Sequence, residues 1–522
     1  RGAIYDRSGA ALAHSVEARY VYADPEEVTD PEAAAEALSP LLGIPRSELA
    51  EKMTKRTRPD GRQSRFEWLA RGVEIEIAEK IMELDLPGIE VRRDERREVP
   101  GGDLAANIIG FVGDGMVGLE GIEARYDELL SGVNGERQFE IGRGNLAKEI
   151  PGGYHRETEA KPGSSLVLTI DRDLQYKVQQ TLKEHMERTG GTKAAAVVLD
   201  VRTGEVLAQA SHPTYNAADP INPNTDPTDR EDVATSFVVD PGSVHKAIVF
   251  GAALEEGVIT PDTAMPVPST IRKGDTVFRD TRPVNGRTMT VAGMLAYSSN
   301  VGTIQIADRL GADKLYEYQL RFGLGRATDV GLPGEASGRV LEPRDWSGSS
   351  YGSIPIGHSV DVTPLQMAAV YAAIANDGVW VQPHLVKEII APDGARTSTT
   401  TQTRRVMSPE NAAALRLMLE AVTTVPDATG LAAAIPGYRV AGKTGTGKRI
   451  VNGQYVSGEV ASFIGMAPAD NPRYVIAVFA HTPGGGGGQI AAPAFKSMME
   501  FTLRHYRVPP STAKPPSFVV FP

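Results

Sequence analysis

The order of the predicted elements after residue 193 constrains the fold more than any other feature of this sequence. A strand at 166–170 and a helix at 171–185, N-capped by Asp171, are predicted before residue 193. Strands are then predicted at 194–200, 205–210, 438–441, 461–466 and 474–480, and helices at 243–256, 291–297, 363–376 and 409–423. Because the strands lie at both ends and the middle reads as all-helical, the pattern predicts one sheet assembled from both ends of this region.

Three regions of different composition divide the 522 residues. Residues 1–160 are charge-rich and predict short strands and helices without a large core. The breaker cluster Lys161-Pro162-Gly163 separates them from the more apolar remainder, and prolines are frequent after Val508. We therefore expect an N-terminal module over 1–160, a packed domain over 161–507, and a proline-rich tail over 508–522 that is mobile or bound to the surface.

Charge and cysteine content exclude several classes of function. The 55 Lys and Arg against 66 Asp and Glu give a net charge of −11, which disfavours binding to nucleic acids or anionic membranes. With no cysteine, the chain has no thiol nucleophile, disulfide or cysteine-ligated zinc. No apolar run reaches the 18 to 20 or so residues of a membrane helix, and the sequence opens at Arg1 without Met, so we expect a signal or anchor to have been removed.

Three short motifs match catalytic patterns in unsuitable contexts. Residues 437–444 fit the P-loop pattern, but glycines follow where its helix would begin. Residues 348–352 fit the nucleophile-elbow pattern around Ser350, yet neither a strand nor a helix is predicted beside them. Ser511 and Lys514 fit S-x-x-K among prolines, where no helix can align the two side chains. We therefore expect none of the three to be catalytic.

A second S-x-x-K pair, Ser243 and Lys246, opens a predicted helix, so its hydroxyl and amine share one face. A serine becomes nucleophilic when a neighbour takes its proton, and a lysine can do so only when burial or another cation lowers its pKa. Ser298-Ser299-Asn300 follows 55 residues after Ser243, and Lys443-Thr444-Gly445-Thr446 lies 145 residues further. Alone, these residues could be caps or an edge strand; in this order they match the signature of serine β-lactamases and penicillin-binding proteins.

The chain resembles a class B penicillin-binding protein, a monofunctional peptidoglycan D,D-transpeptidase, and is slightly more similar to the cell-division type. The resemblance extends beyond the catalytic triple to short motifs along most of the chain, at 1–9, 97–100, 105–110, 118–121, 363–366 and 374–378. It implies an α+β fold, in which an antiparallel sheet of about five strands is flanked by helices in a penicilloyl-serine transferase domain. The N-terminal module would be an elongated pedestal of the dimerisation type.

The same resemblance implies partners and a location. The substrate would be the peptidoglycan stem peptide, and β-lactams would be inhibitors. The protein would act at the extracytoplasmic face of the bacterial cell membrane, held by an N-terminal helix absent from this sequence. It would work with a membrane-embedded glycan polymerase of the septal or elongation machinery, and it would need no metal, cofactor or nucleic acid.

By resemblance, Ser243 attacks the penultimate D-Ala carbonyl and Lys246 is its general base. Ser298 would relay the proton to the leaving nitrogen, and Asn300 would orient Lys246 and bind the substrate amide. Lys443 would be a further catalytic residue, which holds Ser298 from the other side and supplies positive potential. Three residues are expected to bind substrate, with the hydroxyls of the two threonines on the terminal carboxylate: Thr444, Gly445 and Thr446. The N–H groups of Ser243 and Thr446 would form the oxyanion hole.

Three rival interpretations remain at this point. A serine β-lactamase would share the motifs but needs a base for its deacylating water, and Glu335 and Glu342 are the nearest acidic candidates. A catalytically silent β-lactam sensor or scaffold would keep the fold, and a P-loop ATPase would use Lys443. His245, beside the nucleophile, could titrate near the site, although a packed histidine is the commoner case.

Overall fold

The computed structural model describes residues 1–54, 57–142 and 149–522. The first 168 residues hold seven strands: β1 (Ile4–Tyr5), β2 (Ala11–Ala23), β3 (Glu67–Val73), β4 (Ile89–Glu98), β5 (Glu136–Phe139), β6 (His155–Thr158) and β7 (Ser165–Leu168). Six α-helices lie among them: α1 (Pro31–Leu42), α2 (Arg46–Met53), α3 (Ile75–Glu83), α4 (Ala106–Ile109), α5 (Gly121–Arg125) and α6 (Asp127–Leu130).

The remainder of the chain alternates between helical blocks and strands. Its α-helices are α7 (Arg172–Thr189), α8 (Val233–Ser236), α9 (Lys246–Glu255), α10 (Val291–Ala296), α11 (Asn300–Leu310), α12 (Ala312–Arg321), α13 (Ser350–Ser353), α14 (Pro364–Ala375), α15 (Pro409–Thr424) and α16 (Gly487–His505). Its strands are β8 (Lys193–Asp200), β9 (Val206–His212), β10 (Ala264–Pro266), β11 (Thr270–Lys273), β12 (Thr276–Arg279), β13 (Thr288–Thr290), β14 (Val379–Val381), β15 (Val386–Ile390), β16 (Arg396–Ser398), β17 (Thr403–Arg405), β18 (Ala441–Gly447), β19 (Ile450–Val451), β20 (Gln454–Tyr455), β21 (Glu459–Ala467) and β22 (Tyr474–Thr482).

A five-stranded antiparallel sheet of order β18-β21-β22-β8-β9 forms the centre of this second region, which confirms a sheet built from both ends. Helices cover both faces. Along β8, residues 194, 196 and 198 join one core with α7 and α16, and residues 195, 197 and 199 join the other core with α9 and α14. Because successive side chains point to opposite faces, a strand covered on both sides is apolar throughout, and this explains the unbroken apolar run of β8.

Several sequence predictions require correction. The strand predicted at 438–441 is wrong, since β18 begins only at Ala441. The middle of the region is not purely helical, because it contains two small hairpins, β10 with β13 and β11 with β12. The long helix α16 was not expected, because five glycines and Pro493 lie at or inside its first turns. Its buried face, packed against β21 and β22, outweighs that weak local preference.

A seven-stranded sheet connects the N-terminal residues with the second region. Strand β1 pairs in parallel with β7, and β7 pairs antiparallel with β15, which comes from beyond residue 380. The division at residue 160 therefore remains a prediction, since a single sheet includes strands from both sides of it. Within the described residues, no helix combines the length and the apolar character of a bilayer span.

Candidate active site

Ser243 lies on a tight turn at the start of a buried helix. Residues Gly242–His245 form a 3-10 helix that continues into α9, where the sequence predicted one α-helix from Ser243. In a 3-10 helix, side chains three residues apart are eclipsed, so Ser243 and Lys246 lie along one edge of the turn. Gly242 has φ +61, and a Cβ there would lie 2.2 Å from the Thr446 carbonyl oxygen, so only glycine permits β18 to approach this closely.

Two buried lysines share the hydroxyl of Ser298. The Lys246 amine donates hydrogen bonds to Ser298 O at 2.8 Å and Asn300 Oδ1 at 2.7 Å, and it lies 3.1 Å from Ser298 Oγ. Lys443 reaches the same hydroxyl from β18, with its amine 2.9 Å from Ser298 Oγ. The structure thus brings residues from all three motifs together. Among the described residues, the hydrogen bonds of the Lys246 amine go to Ser298 and Asn300 and not to the Ser243 hydroxyl.

Both lysine amines have lowered pKa values, so the pair need not carry two positive charges near pH 7. Burial lowers the pKa of Lys246 to about 7, and the nearby Asp280 carboxylate opposes this shift. Burial and the proximity of Lys246 hold the pKa of Lys443 well below its ordinary range. Because two ammonium groups that share one buried hydroxyl repel each other, at least one amine is neutral near pH 7. A neutral amine has a lone pair that can accept a proton from serine.

The backbone at Ser298 is held in an unusual conformation. Its φ is +53, in the left-handed region that a serine rarely adopts. The turn forms at the end of α10, where the Ser298 N–H donates to Leu295 O and the Ser299 N–H donates to Met294 O. This geometry directs both the carbonyl and the hydroxyl of Ser298 towards Lys246. Such strain persists only where the surroundings enforce it, and it is frequent in active sites.

Sequence reasoning missed the hairpin β11–β12 as a support of the site. Asp280, directly after β12, accepts from Ser299 Oγ at 2.7 Å and from the Val301 N–H at 2.8 Å, and so caps α11. The preceding residue, Arg279, accepts a hydrogen bond from Asn300 Nδ2 through its carbonyl at 3.0 Å. These contacts fix Asn300 against Lys246. No local signal marks Asp280, because its partners lie about 20 residues away along the chain.

The edge strand β18 lies opposite the turn that carries Ser243 and forms the other wall of the candidate active-site groove. It has a partner strand on one side only, β21, so its other edge faces the nucleophile turn. Thr444 donates to Thr429 Oγ1 at 2.8 Å, and Thr446 is partly exposed beside the turn. Gly445 is buried, and a Cβ there would lie 2.4 Å from Ser462 Oγ and 3.0 Å from Pro241 O, so its role in this geometry is steric. The P-loop interpretation is wrong, because Lys443 and Thr444 lie inside a strand.

His245 is a packed residue. It is fully buried, lies 3.1 Å from Pro355 O through Nδ1, and contacts Gln319 Nε2 at 2.9 Å through Nε2. Burial lowers the pKa of His245 to about 4. The imidazole is therefore neutral near pH 7, with Nδ1 donating to Pro355 and Nε2 accepting from Gln319.

The other residues that the sequence singled out have structural roles outside this site. Glu335 uses both carboxylate oxygens to fix a loop, accepting from Thr328 N at 2.7 Å and from Asp329 N at 3.0 Å. Ser350 begins the four-residue helix α13, and no strand precedes it, so it is not a nucleophile elbow. Among residues 1–54, 57–142 and 149–522, no cluster of three or more His, Asp or Glu side chains is arranged to hold a metal ion.

A serine on a tight turn, two buried lysines of lowered pKa and a strand with one partner among the described residues are the features expected of a serine acyltransferase. Comparison with known proteins identifies its family. The penicillin-binding protein transpeptidase domain matches residues 194–500, and the penicillin-binding protein dimerisation domain matches residues 1–168. The chain belongs to the penicillin-binding proteins that carry these two domains, and the predicted resemblance and α+β fold are confirmed.

Relatives match over nearly the whole chain. Penicillin-binding protein PbpB of Mycolicibacterium smegmatis is 38% identical, covering 98% of this chain and 83% of its own length. Peptidoglycan D,D-transpeptidase FtsI of Escherichia coli is 35% identical, covering 98% of this chain and 84% of its own. The crystal structure of penicillin binding protein 3 from Mycobacterium tuberculosis, complexed with aztreonam, matches with a TM-score of 0.75 at 31% identity, covering 100% of this chain and 98% of that one.

Proposed function

We propose that this peptidoglycan D,D-transpeptidase uses Ser243 as its nucleophile and the pair Lys246 and Lys443 as its proton-handling groups. The observation that carries the assignment is the Ser298 hydroxyl, which lies 3.1 Å from one buried amine and 2.9 Å from the other. The Ser298 hydroxyl proton can therefore exchange with either amine, so this hydroxyl connects Lys246, beside Ser243, to Lys443 on β18.

In the acylation step, Ser243 Oγ attacks the carbonyl carbon of the penultimate D-Ala, and its proton passes to neutral Lys246. Collapse of the tetrahedral intermediate breaks the amide bond to the terminal D-Ala. The leaving nitrogen takes a proton from Ser298 Oγ, which regains one from the lysine pair, so the proton removed from Ser243 ends on the free D-Ala amine. Asn300 keeps Lys246 oriented by accepting one of its N–H bonds.

The groove beside β18 supports binding of an extended peptide. An edge strand has free backbone groups that can pair with a peptide in the manner of an added strand. The hydroxyls of Thr444 and Thr446, together with Lys443, suit the terminal carboxylate of D-Ala-D-Ala. The N–H groups of Ser243 and Thr446 are assigned to the oxyanion, because the Gly242 turn brings these two segments into contact.

An amine from a neighbouring stem peptide then attacks the acyl carbonyl, forming the cross-link and releasing Ser243. The site offers little support for water in this step, because Glu335 is committed to its loop. The Glu342 carboxylate lies 2.8 Å from Arg344 Nε, at the start of a short turn over Pro343–Asp345. A penicilloyl ester should therefore persist, which favours an inhibited transpeptidase over a serine β-lactamase.

We assign the finer cellular context by resemblance. Residues 1–160 would be the pedestal and 161–507 the catalytic domain, outside the cytoplasm. The resemblance also implies an N-terminal membrane helix and a membrane-embedded glycan polymerase as partner. A pull-down of the full-length protein from detergent-solubilised membranes, with and without residues 1–160, tests the polymerase contact. Because β1 belongs to the sheet of β7 and β15, the truncated form is first shown to label with penicillin, which establishes that its catalytic region is folded. Equal recovery of the polymerase by both forms would contradict a role for the pedestal.

The catalytic assignment is tested by mass spectrometry after incubation with penicillin. We expect one adduct per chain, on the peptide that contains Ser243, with a lifetime of many minutes to hours. Ser243→Ala should give no adduct, and the matched serine variant Ser350→Ala should label fully. An adduct on another serine would overturn the nucleophile assignment. Sustained hydrolysis of nitrocefin at one turnover per second would instead make the protein a β-lactamase.

A further inference from the structure

The segment after α16 contacts the catalytic region at two places. Near its start, the Ser511 N–H donates to Gly437 O at 2.9 Å, and Ser511 Oγ accepts from the Arg439 N–H at 3.0 Å. Val508 is buried in the core that includes α16. These contacts fix the chain that leads into β18, and Lys443 lies only four residues beyond Arg439.

The far end of the same segment lies on α10. Two hydrogen bonds attach its backbone, from Thr290 N–H to Val520 O at 2.9 Å and from Thr290 Oγ1 to Val519 O at 2.7 Å. The Phe521 ring lies 3.7 Å from the guanidinium of Arg287, a distance suited to a cation–π contact. The same ring is 6.2 Å from the ring of Tyr297, the residue that precedes Ser298.

The middle of the segment spans an open space. A cavity of about 610 Å³ is lined by residues 511–515 on one side and by the loop 434–440 and the end of α15 on the other, with Ser511 in contact with the loop at its edge. Beyond it, Phe518, Val520 and Phe521 pack against the core. One end touches the approach to the third catalytic motif, and the other touches the approach to the second.

The contact at Tyr297 matters because Ser298 is strained. A left-handed serine returns to an ordinary conformation unless its neighbours are fixed. Tyr297 is fixed by three groups: the Phe521 ring, the Arg282 guanidinium at 4.5 Å from its ring, and Pro426 O, which accepts from its hydroxyl at 3.5 Å. Of these, Phe521 alone belongs to the segment after α16.

We propose that residues 508–521 form a strap that joins the approach to β18 with the end of α10, and that Phe521 is a positioning residue for Ser298. The inference rests on the proposed function of Ser298 as the hydroxyl shared by the two lysines. Loss of the Phe521 ring removes one of the three contacts that hold Tyr297 and so lets Ser298 relax away from Lys246 and Lys443. Among the described residues, the hydrogen-bond partners of the strap include residues 437–439 and Thr290 but neither Ser243 nor Thr444–Thr446, so we expect an effect on the rate of acylation and not on recognition of the drug.

The test compares Phe521→Ala, Phe521→Tyr and the matched control Val519→Ala, whose side chain is 63% exposed in the same segment. Stopped-flow labelling with a fluorescent penicillin gives three quantities: the labelled fraction, the acylation rate constant at saturation, and the drug concentration at half-saturation. For Phe521→Ala we expect a rate constant lower by about 10-fold or more, because small displacements of catalytic groups are costly. The labelled fraction and half-saturation should stay within about 2-fold, and Phe521→Tyr should restore the rate.

Arg287→Ala provides an independent variant, because it removes the other half of the ring contact and leaves the backbone hydrogen bonds. We expect a smaller loss of rate in the same direction. An unchanged rate in both variants, or a lower labelled fraction with an unchanged rate, would overturn the proposal, since the second result indicates only partial unfolding. Failure of Phe521→Tyr to restore the rate would also overturn it. Failure of the proposed function looks different, because the unmodified chain itself would then carry no label on Ser243.

Discussion

Two clusters of buried charged side chains lie in different parts of the molecule and are built in opposite ways. In the N-terminal module, Glu123 accepts from Arg97 at 2.8 and 2.9 Å and from Arg1 at 3.2 Å, and all three side chains are almost fully buried. In the active site, Lys246 and Lys443 are equally buried, yet neither forms an ion pair with a carboxylate among the described residues.

The difference separates a structural use of buried charge from a chemical one. A buried arginine beside a carboxylate keeps its charge, and removal of one partner leaves an uncompensated ion. Burial lowers the pKa of a lysine without such a partner, so the amine can lose its proton near neutral pH and act as a base. The first cluster therefore fixes the start of the chain, and we assign proton transfer to the second. Five experiments test this contrast, beginning with the largest expected effect.

Replacement of Lys246 by Ala should reduce the acylation rate by about 10²–10⁴-fold, because it removes the proton acceptor of Ser243. The measurement is the rate of labelling by a fluorescent penicillin per folded molecule. Lys193→Ala is the matched control, since Lys193 is also buried but donates to Glu231 at 3.0 Å. Similar losses in both variants would mean that pairing with a carboxylate does not distinguish the catalytic lysine.

Replacement of Glu123 by Gln should lower the free energy of unfolding by about 3–5 kcal/mol, because Arg97 would be left buried without its carboxylate and Arg1 would keep only Asp127. Urea denaturation followed by circular dichroism gives this value. Glu128→Gln, at an exposed site nearby, should change it by less than about 0.5 kcal/mol. The acylation rate of the folded Glu123→Gln protein should be unaltered, and a slowed reaction would show that the two clusters are coupled.

The acylation rate should rise with pH through about 7, because Lys246 acts as a base only after losing its proton. The groups that face it are Lys443 from β18, Asp280 after β12, and the polar pair Ser298 and Asn300. Since the Asp280 carboxylate favours the charged amine, Asp280→Asn should move the midpoint of the pH–rate profile to lower pH. A midpoint that moves upward, or stays fixed, would contradict this electrostatic account.

The lowered pKa of Lys246 also makes the stability of the folded protein depend on pH. The pKa of Lys246 is lowered from 10.5 to about 7 on folding, so the unfolded state binds more protons between these values. The contribution of Lys246 to stability is therefore complete above about pH 10.5 and is lost as pH falls towards 7. A Lys246→Met variant should be more stable than the unmodified chain at pH 7, and this difference should shrink towards pH 10.

The smallest effect is expected at His245. Burial lowers its pKa from 6.5 to about 4, so its contribution to stability is complete above pH 6.5 and is lost as pH falls through 4. His245→Gln should leave the shape of the pH–rate profile between pH 6 and 9 unchanged. It should also reduce the loss of stability between pH 6 and 4 in urea titrations. A changed profile near pH 7 would mean that His245 takes part in proton transfer.

The short motifs singled out residues that the structure brings together, but not the residues that support them. Ser243 and Lys246 lie one helical turn apart, and Lys443 lies on a strand, so each motif could be recognised locally. The catalytic roles of these residues remain a prediction. The supporting residue Asp280 acts across a hairpin on residues about 20 positions away, and no periodicity reveals such a contact. The strained turn at Ser298 is likewise a product of tertiary contacts, since nothing in Tyr297-Ser298-Ser299 predicts a positive φ.

The central sheet was predictable because β8, β21 and β22 are apolar on both faces and too short for long helices. Helix α16 was not, because its local sequence favours a turn. In the structure its glycines allow close approach: a Cβ on Gly487 would lie 2.1 Å from Ser462 O and 2.7 Å from Gly445 O. The residues that argued against a helix are therefore those that let it pack beside the strand that carries Lys443.

The sheet shared by β1, β7 and β15 determines how the molecule bears mechanical load. A pull on the N-terminal end acts along β1 and is carried by its parallel hydrogen bonds with β7, which are loaded in shear and must break together. Strand β7 passes the force to β15 and so into the region that contains the catalytic groove. Tension applied at Arg1 would thus reach the region of the catalytic groove through paired strands, from β1 to β7 and from β7 to β15.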